Sequence, residues 1–249
     1  MNRTRGWLIV SAVALFASLG TEPVEARRPR NEQAESKDHG AIVGIVRYEG
    51  AVPKQEPVKV TTKEAPCHRE PVPDESLVIS NDKKVQWAVV SIKTIQGGKS
   101  FPPENPEKPI RLDQRGCRFI PHVVVVPRGR TLRILNNDGI LHNVHALAWR
   151  NPPFNRALPP KVKQMDVTFK RSERIRLRCD IHAWMGAWIV VAEHPYVMVT
   201  QRDGAFRFEG VPPGRYTIDL WHETLGKQQT EVTVTAGSEA KIDFVFKKP

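Results

Sequence analysis

Apolar residues recur at every second position in short runs along most of the chain, and turn residues separate these runs. In the run that ends at Cys179, the apolar residues Ile175 and Leu177 alternate with three arginines. A period of two places alternate side chains on opposite faces of a β-strand, so this run predicts a strand with Cys179 on its buried face. We find no convincing helical periodicity. The pattern therefore predicts an all-β protein made of packed sheets.

The candidate strands share β-branched or aromatic residues and are bounded by Gly, Pro or Asn-Asp turns. Before His194 they are Ala41–Tyr48, Val85–Lys93, Phe119–Val126, Thr131–Asn136, Ile175–Cys179 and Ala187–Ala192. After His194 they are Tyr196–Thr200, Ala205–Phe208, Tyr216–Trp221, Glu231–Thr235 and Ile242–Phe246. The segment Gly97–Pro109 is rich in Pro and charge and predicts a long surface loop.

The first 26 residues are typical of a secretory signal peptide. Arg3 and Arg5 precede a 14-residue apolar stretch, and small residues stand before the predicted cleavage site after Ala26. Because a membrane-spanning helix needs about 20 apolar residues, we expect export, for example to a periplasm, and no transmembrane segment after cleavage. Residues 27–40 are charged and predict a flexible leader.

The chain carries a formal net charge of +11. Nucleic acid is not an expected partner for an exported protein, whereas a basic excess favours encounter with an acidic protein or an anionic surface. Solubility alone is the other explanation. The three cysteines are an odd number, which in an oxidising compartment predicts one disulfide and one thiol with another role.

A thiol, an imidazole and a thioether stand close together in Cys179, His182 and Met185. Thiolate and imidazole ligands with a weak thioether suit copper, whereas thioether is a poor zinc ligand. A trigonal site also needs a second histidine from another strand, for which His142 and His145 are the candidates. The residues thus predict one copper ion.

The segment from Asp113 to Glu193 resembles the cupredoxins. Phe119-x-Pro121 with the following valines is similar to a strand of that family, Asn136–Asp138 leads into the first-histidine segment, and Cys179-x-x-His182-x-x-Met185 is similar to the ligand loop of amicyanin-like members. The tract that precedes this ligand loop also resembles exported copper proteins of the methylamine-utilisation or plastocyanin-like type. The resemblance implies a Greek-key β-sandwich over residues 113–193.

The resemblance further implies a type 1 (blue) copper site that alternates between Cu(I) and Cu(II), with ligands His142, Cys179, His182 and Met185. It favours His142 over His145. Electrons are expected to pass through an exposed edge of His182, framed by Trp184 and Trp149, to a redox partner protein with an acidic patch. Arg178 and Asp180 flank the cysteine where multicopper oxidases have histidines. This argues against an oxidase. A copper ion with three strong ligands and one weak ligand also has no free position for a substrate, so we expect no enzymatic activity.

The assignment of Cys179 to copper leaves Cys67 and Cys117. We predict that these two cysteines form a disulfide after export. The alternative is a pair of separate free thiols.

The C-terminal region, residues 194–249, resembles the carboxypeptidase regulatory-like (transthyretin-like) sandwich. The resemblance rests on residues 200–208 and on Val211–Tyr216, and it implies a binding or spacer module with contact to carbohydrate or the cell surface. A region this short makes a marginal core. We therefore predict that the N-terminal β region, residues 41–112, lends it strands and that the copper domain is inserted between them. The competing arrangement is three separate units.

Together these patterns predict an exported one-electron carrier. The alternative is a carbohydrate-binding, adhesion or copper-storage protein that has a cupredoxin fold and no redox partner.

Overall fold

A computed structural model describes residues 38–247. The predicted signal peptide, 1–26, and all but the last three residues of the predicted leader lie outside this range. A short 3₁₀ helix spans Ala65–His68. The strands are β1 (Gly40–Glu49), β2 (Val89–Ile92), β3 (Ile110–Gln114), β4 (Phe119–Ile120), β5 (Val123–Pro127), β6 (Thr131–Asn136), β7 (His142–Leu147), β8 (Phe154–Leu158), β9 (Gln164–Thr168), β10 (Glu173–Arg178), β11 (Gly186–Ala192), β12 (Val197–Val199), β13 (Ala205–Val211), β14 (Gly214–His222), β15 (Gly226–Val234), β16 (Glu239–Lys241) and β17 (Phe244–Lys247). The fold is all-β, as the alternating pattern predicts.

The central part of the chain forms a Greek-key sandwich of two sheets. One sheet has the strand order β5-β11-β10-β7-β8, and the other has the order β4-β3-β6-β9. Inward side chains from both sheets, among them Leu132, Ile134, Ile175, Leu177 and Ile189, are fully buried in a common core. This is a two-sheet β-sandwich, as the sequence predicts for this part of the chain, and its ends carry the loops that hold the candidate ligands.

The second sandwich is discontinuous in sequence. Strand β1 pairs with β13, β16 and β17, and strand β2 pairs with β12 and β14. Two N-terminal strands thus complete sheets whose other strands follow Tyr196. Residues from both parts of the chain, including Ile42 and Phe206, share one core. The chain leaves this sandwich after β2, forms the first sandwich and returns.

Gly44 lies where β1 changes partner between β16 and β17. A Cβ atom built on Gly44 would meet the backbone oxygen of Ile242 at 1.6 Å. Only glycine permits this close backbone approach within a strand. Gly44 is therefore required at the point where β1 stops pairing with β16 and begins to pair with β17.

The two sandwiches share a small apolar interface made by Val89, Val123, Val190 and Trp221. Beside it, Glu223 of the second sandwich accepts hydrogen bonds from His122 and from the Trp188 indole, which lies 2.9 Å away. Both donors belong to the first sandwich. This polar anchor fixes the orientation of one sandwich on the other.

A loop of residues 58–72 precedes β2 and covers one end of the first sandwich. Its two ends meet, since the Val58 amide donates to the Val72 carbonyl at 2.9 Å. Val60 packs against the core of the first sandwich, and Cys67 in the 3₁₀ helix is disulfide-bonded to Cys117. This closed shape is that of an Ω-loop, and the name is kept below.

The sequence pattern missed strands β3, β7, β8, β9 and β16, and it placed β2 over too long a range. Trp87 adopts a φ of 65°, which interrupts the predicted strand before β2 begins. Strands β8 and β9 are largely exposed, so they show little apolar alternation. Pro121 lacks an amide donor and divides the predicted Phe119–Val126 strand into β4 and β5.

Among the described residues, no helix has the length and apolar character to cross a membrane.

Candidate metal centre

Cys179 follows the last residue of β10 and points into the core, as the alternation predicts, with only 2% of its surface exposed. The turn from Cys179 to Met185 connects β10 to β11. It is closed by two backbone hydrogen bonds, from the Cys179 amide to the Met185 carbonyl at 3.1 Å and from the Met185 amide to the His182 carbonyl at 2.9 Å. The turn holds the thiol and the imidazole on the same side of the sheet end.

His142 begins β7, which pairs with β10, so the sheet brings it beside this turn. The Nδ1 atoms of His142 and His182 lie 3.0 Å apart, and Cys179 Sγ lies 3.8 Å from His182 Nδ1. The three side chains offer donor atoms that all lie within 4.8 Å of one another. All three are buried, and together they form a compact set of one sulfur and two nitrogen donors.

Each histidine binds a carboxylate through its other ring nitrogen. His142 Nε2 donates to Asp138 Oδ2 at 2.9 Å, and His182 Nε2 donates to Glu64 Oε2 at 2.6 Å. A proton fixed on Nε2 leaves Nδ1 as the free donor atom. Carboxylates in this position orient ligand histidines and increase their basicity. Both Nδ1 atoms are therefore directed to the same point, next to the thiol.

The electrostatics of the cluster favour a positive charge at this point. Burial opposes ionisation of Cys179, but hydrogen bonding with His142 and nearby backbone amides lowers the pKa of the thiol to about 6. Burial likewise opposes protonation of His142, yet Asp138 and Cys179 raise the pKa of this histidine to about 9. The site thus stabilises a thiolate next to a positive charge. A metal ion can take the place of that positive charge.

Asn143 fixes the position of the thiol. Its Oδ1 lies 3.2 Å from Cys179 Sγ and accepts the Asp180 amide at 2.7 Å. Its amide nitrogen donates to Asn155 and to the Asp180 carboxylate. A buried amide held at both ends restricts the movement of the strand end that carries Cys179.

Met185 lies in the same buried core as Cys179, with 2% of its surface exposed. The predicted alternative ligand His145 lies on the outer face of β7, where its Nδ1 is 2.9 Å from Asp180 Oδ2. The structure therefore brings together His142, Cys179 and His182 and leaves His145 outside. It also contains the disulfide between Cys67 and Cys117, whose Cα atoms are 5.1 Å apart.

The expectation that one edge of the His182 ring is exposed is wrong. Only 1% of His182 is exposed, because the Ω-loop places Glu64 on its Nε2 atom. Trp184 does lie beside His182, with ring centroids 5.2 Å apart. Trp149, in contrast, is 80% exposed and lies past the end of β7 opposite His142.

Three residues that position this site were not identified from the sequence: Glu64, Asp138 and Asn143. Asp138 stands four positions before His142 and next to Gly139, in a turn that offered a local signal. Glu64 gave none, because it is 118 positions from His182 and reaches it only through the fold.

The donor set fits copper. Two imidazole nitrogens and a thiolate are borderline and soft ligands, and the buried thioether of Met185 stands at the end of the same turn as Cys179. The donors converge at one end of the sheet, and the Nε2 atom of each histidine is bound to a carboxylate. Copper would be held by His142, Cys179 and His182.

Residues 184–247 match the model of the carboxypeptidase regulatory-like domain family. This range contains β12–β17 of the second sandwich and also β11 of the first. A comparison with curated proteins found no match. The chain is thus similar to a known domain family in its C-terminal part.

Among solved structures, the chain is similar to a copper-containing nitrite reductase from Thermus scotoductus, with 24% identity, a TM-score of 0.32 and coverage of 40% of this chain and 25% of that one. It is also similar to a purple cupredoxin from Nitrosopumilus maritimus, with 17% identity, a TM-score of 0.29 and coverage of 33% and 99%. A reduced amicyanin variant matches with 20% identity, a TM-score of 0.32 and coverage of 41% and 98%. The chain spans about a quarter of the nitrite reductase and nearly all of the two small proteins.

Proposed function

We propose that the protein is an exported one-electron carrier with a single type 1 copper ion bound by His142, Cys179, His182 and Met185. The observation that carries the proposal is the convergence of the two Nδ1 atoms and the thiol at one buried point. Copper bound there would alternate between Cu(I) and Cu(II). The side chains keep their positions because β7, β10 and the turn after Cys179 are joined by backbone hydrogen bonds.

The residues around the cluster favour electron transfer over catalysis. The side chains of the candidate ligands are buried, each at most 2% exposed, and the Ω-loop covers His182. The two carboxylates and Asn143 restrict rearrangement of the ligands, which keeps the cost of a change in oxidation state low. We assign no enzymatic reaction to this site.

The proposed partner is a redox protein with an acidic patch. Arg176 and Arg178 are exposed on β10, next to Cys179, and the chain carries an excess of 11 positive charges. A partner bound here would be close to the thiolate, whereas the imidazole edge of His182 is covered. Association is expected to weaken as ionic strength rises, because charge complementarity of exposed groups is screened by salt.

The test is optical and paramagnetic resonance spectroscopy of the disulfide-bonded protein after addition of Cu(II). An intense visible band that a reductant bleaches and an oxidant restores, with one copper per chain, supports the proposal. A spectrum without a thiolate-to-copper band would overturn it. Export is tested separately, by the cell fraction that contains the protein and by the N-terminal residue of the mature chain, which we expect near Arg27.

A further inference from the structure

The disulfide lies directly beside the candidate ligand His182. The sulfur atoms of Cys67 and Cys117 and a ring nitrogen of His182 all lie within 4.8 Å of one another, and all three residues are buried. This second set shares only His182 with the copper site described above. A disulfide sulfur is a poor ligand, but two thiolates and an imidazole form a set that Cu(I) prefers.

We propose that reduction of the Cys67–Cys117 disulfide creates a second, Cu(I)-specific site formed by these two thiolates and His182. The site would accept Cu(I) and deliver it to the adjacent set of His142, Cys179 and His182. Because the two sets share His182, copper would move between them without leaving the buried region.

Both cysteines are held in place by contacts other than the disulfide. The Asp138 carboxylate accepts the amides of Gly116 and Cys117 at 2.6 and 2.8 Å. Cys67 is held by the 3₁₀ helix, in which its amide donates to the Glu64 carbonyl at 3.0 Å, and Glu64 itself binds His182. The two thiols would therefore remain near each other and near His182 after the S–S bond is broken.

Cys117 lines an open cleft of about 470 Å³, although both disulfide cysteines are buried. The cleft lies between residues 72–76, at the end of the Ω-loop, and the first sandwich, and its walls include Cys117, Cys179 and Met185. An attacking thiol would enter this cleft, and the side chains that cover Cys117 would have to move aside, because Cys117 is fully buried. Arg118 also lines the cleft, in an ion pair with Glu75 at 3.6 Å.

The reaction is a dithiol–disulfide exchange followed by metal binding. A dithiol reductant gives two electrons and two protons to the Cys67–Cys117 bond, which becomes two thiols while the reductant becomes a disulfide. Binding of Cu(I) displaces the two thiol protons to solvent. A disulfide-bearing oxidant then takes two electrons from the two thiolates, re-forms the S–S bond and is itself reduced to a dithiol with two protons from solvent. The copper leaves as Cu(I), with its oxidation state unchanged.

The experiment uses the full chain with Cys179→Ser, which removes the thiolate of the first site. Oxidised and dithiol-reduced samples are titrated with Cu(I) in competition with a chromogenic Cu(I) chelator. We expect the reduced sample to bind about one Cu(I) per chain at least tenfold more tightly than the oxidised one. X-ray absorption should show two sulfur neighbours. Equal affinity in the two samples, or fewer than two sulfurs, would overturn the proposal.

Two further variants in the same Cys179→Ser background identify the ligands. His182→Ala should weaken Cu(I) binding by the reduced protein at least tenfold, whereas the matched change His145→Ala should leave it unaltered. Equal effects of these two changes would exclude the imidazole. Near-ultraviolet circular dichroism follows the fold, and unfolding on reduction would also overturn the proposal. Because the thiolate of the first site is absent, these results do not depend on the visible band that tests the proposed function.

Discussion

Glu64 and His182 are 118 positions apart in sequence, and Glu64 Oε2 accepts a hydrogen bond from His182 Nε2 at 2.6 Å. This contact joins the Ω-loop to the candidate metal centre, and it buries the histidine edge that the sequence placed at the surface. It also lowers the pKa of Glu64, chiefly through the hydrogen bond with His182. The N-terminal region therefore takes part in the site.

The first prediction concerns this contact. Glu64→Gln should reduce copper affinity by about 10- to 100-fold, because the ligand histidine loses a partner that orients it and increases its basicity. Chelator competition measures the affinity. The matched control is Glu56→Gln, since Glu56 is an exposed residue paired only with Lys54 among the described residues. A Glu64→Gln protein with unchanged affinity and spectrum would show that the contact has no role in metal binding.

The second prediction distinguishes the candidate histidines. Cys179→Ser should abolish the visible band, because the thiolate supplies the charge transfer. His142→Ala should weaken copper binding at least tenfold more than His145→Ala, since only His142 faces the thiol and His145 binds Asp180 on the outer face. Copper titration of the three variants measures both effects. A larger loss with His145→Ala would mean that the ligand set is wrong.

The third prediction concerns Met185. Replacing it by Leu conserves volume in the core, so we expect the free energy of unfolding to fall by less than about 1.5 kcal/mol. The loss of an axial donor should raise the reduction potential, because the thioether donates electron density to Cu(II). Spectroelectrochemistry measures the potential. An unchanged potential and spectrum would indicate that Met185 is only core filler.

The fourth prediction concerns Glu223, which joins the two sandwiches. Burial opposes ionisation of Glu223, but His122 and Trp188 lower the pKa of this carboxyl below its ordinary value of 4.5. Glu223→Gln should lower the free energy of unfolding near pH 7 by about 1–3 kcal/mol.

The pH dependence of this effect has a defined sign. A lowered folded-state pKa means that the contribution is fully present above the unfolded pKa and is lost as pH falls through the folded pKa. The difference between wild type and Glu223→Gln should therefore shrink below about pH 4.5. Urea unfolding at several pH values measures it, with the exposed Glu193→Gln as control. A difference that stays constant across this range would contradict the assignment.

Local patterns were enough to predict the fold class and part of the site. Alternation placed Ile175, Leu177 and Cys179 on a buried face because the side-chain period of a strand is fixed by its backbone. The close spacing of Cys179, His182 and Met185 put soft ligands in one turn. Cysteine parity led to the Cys67–Cys117 pair, since one thiol was already assigned elsewhere.

The tertiary structure decided which distant groups meet. The pairing of β1 and β2 with C-terminal strands, the choice of His142 over His145 next to the thiol, and the covering of His182 by Glu64 all depend on contacts between residues far apart in the chain. Residue patterns report the direction of a side chain relative to its own strand. They carry no information on which loop closes over the end of a sandwich, because that depends on packing between strands and loops, and here also on the disulfide that holds the Ω-loop in place.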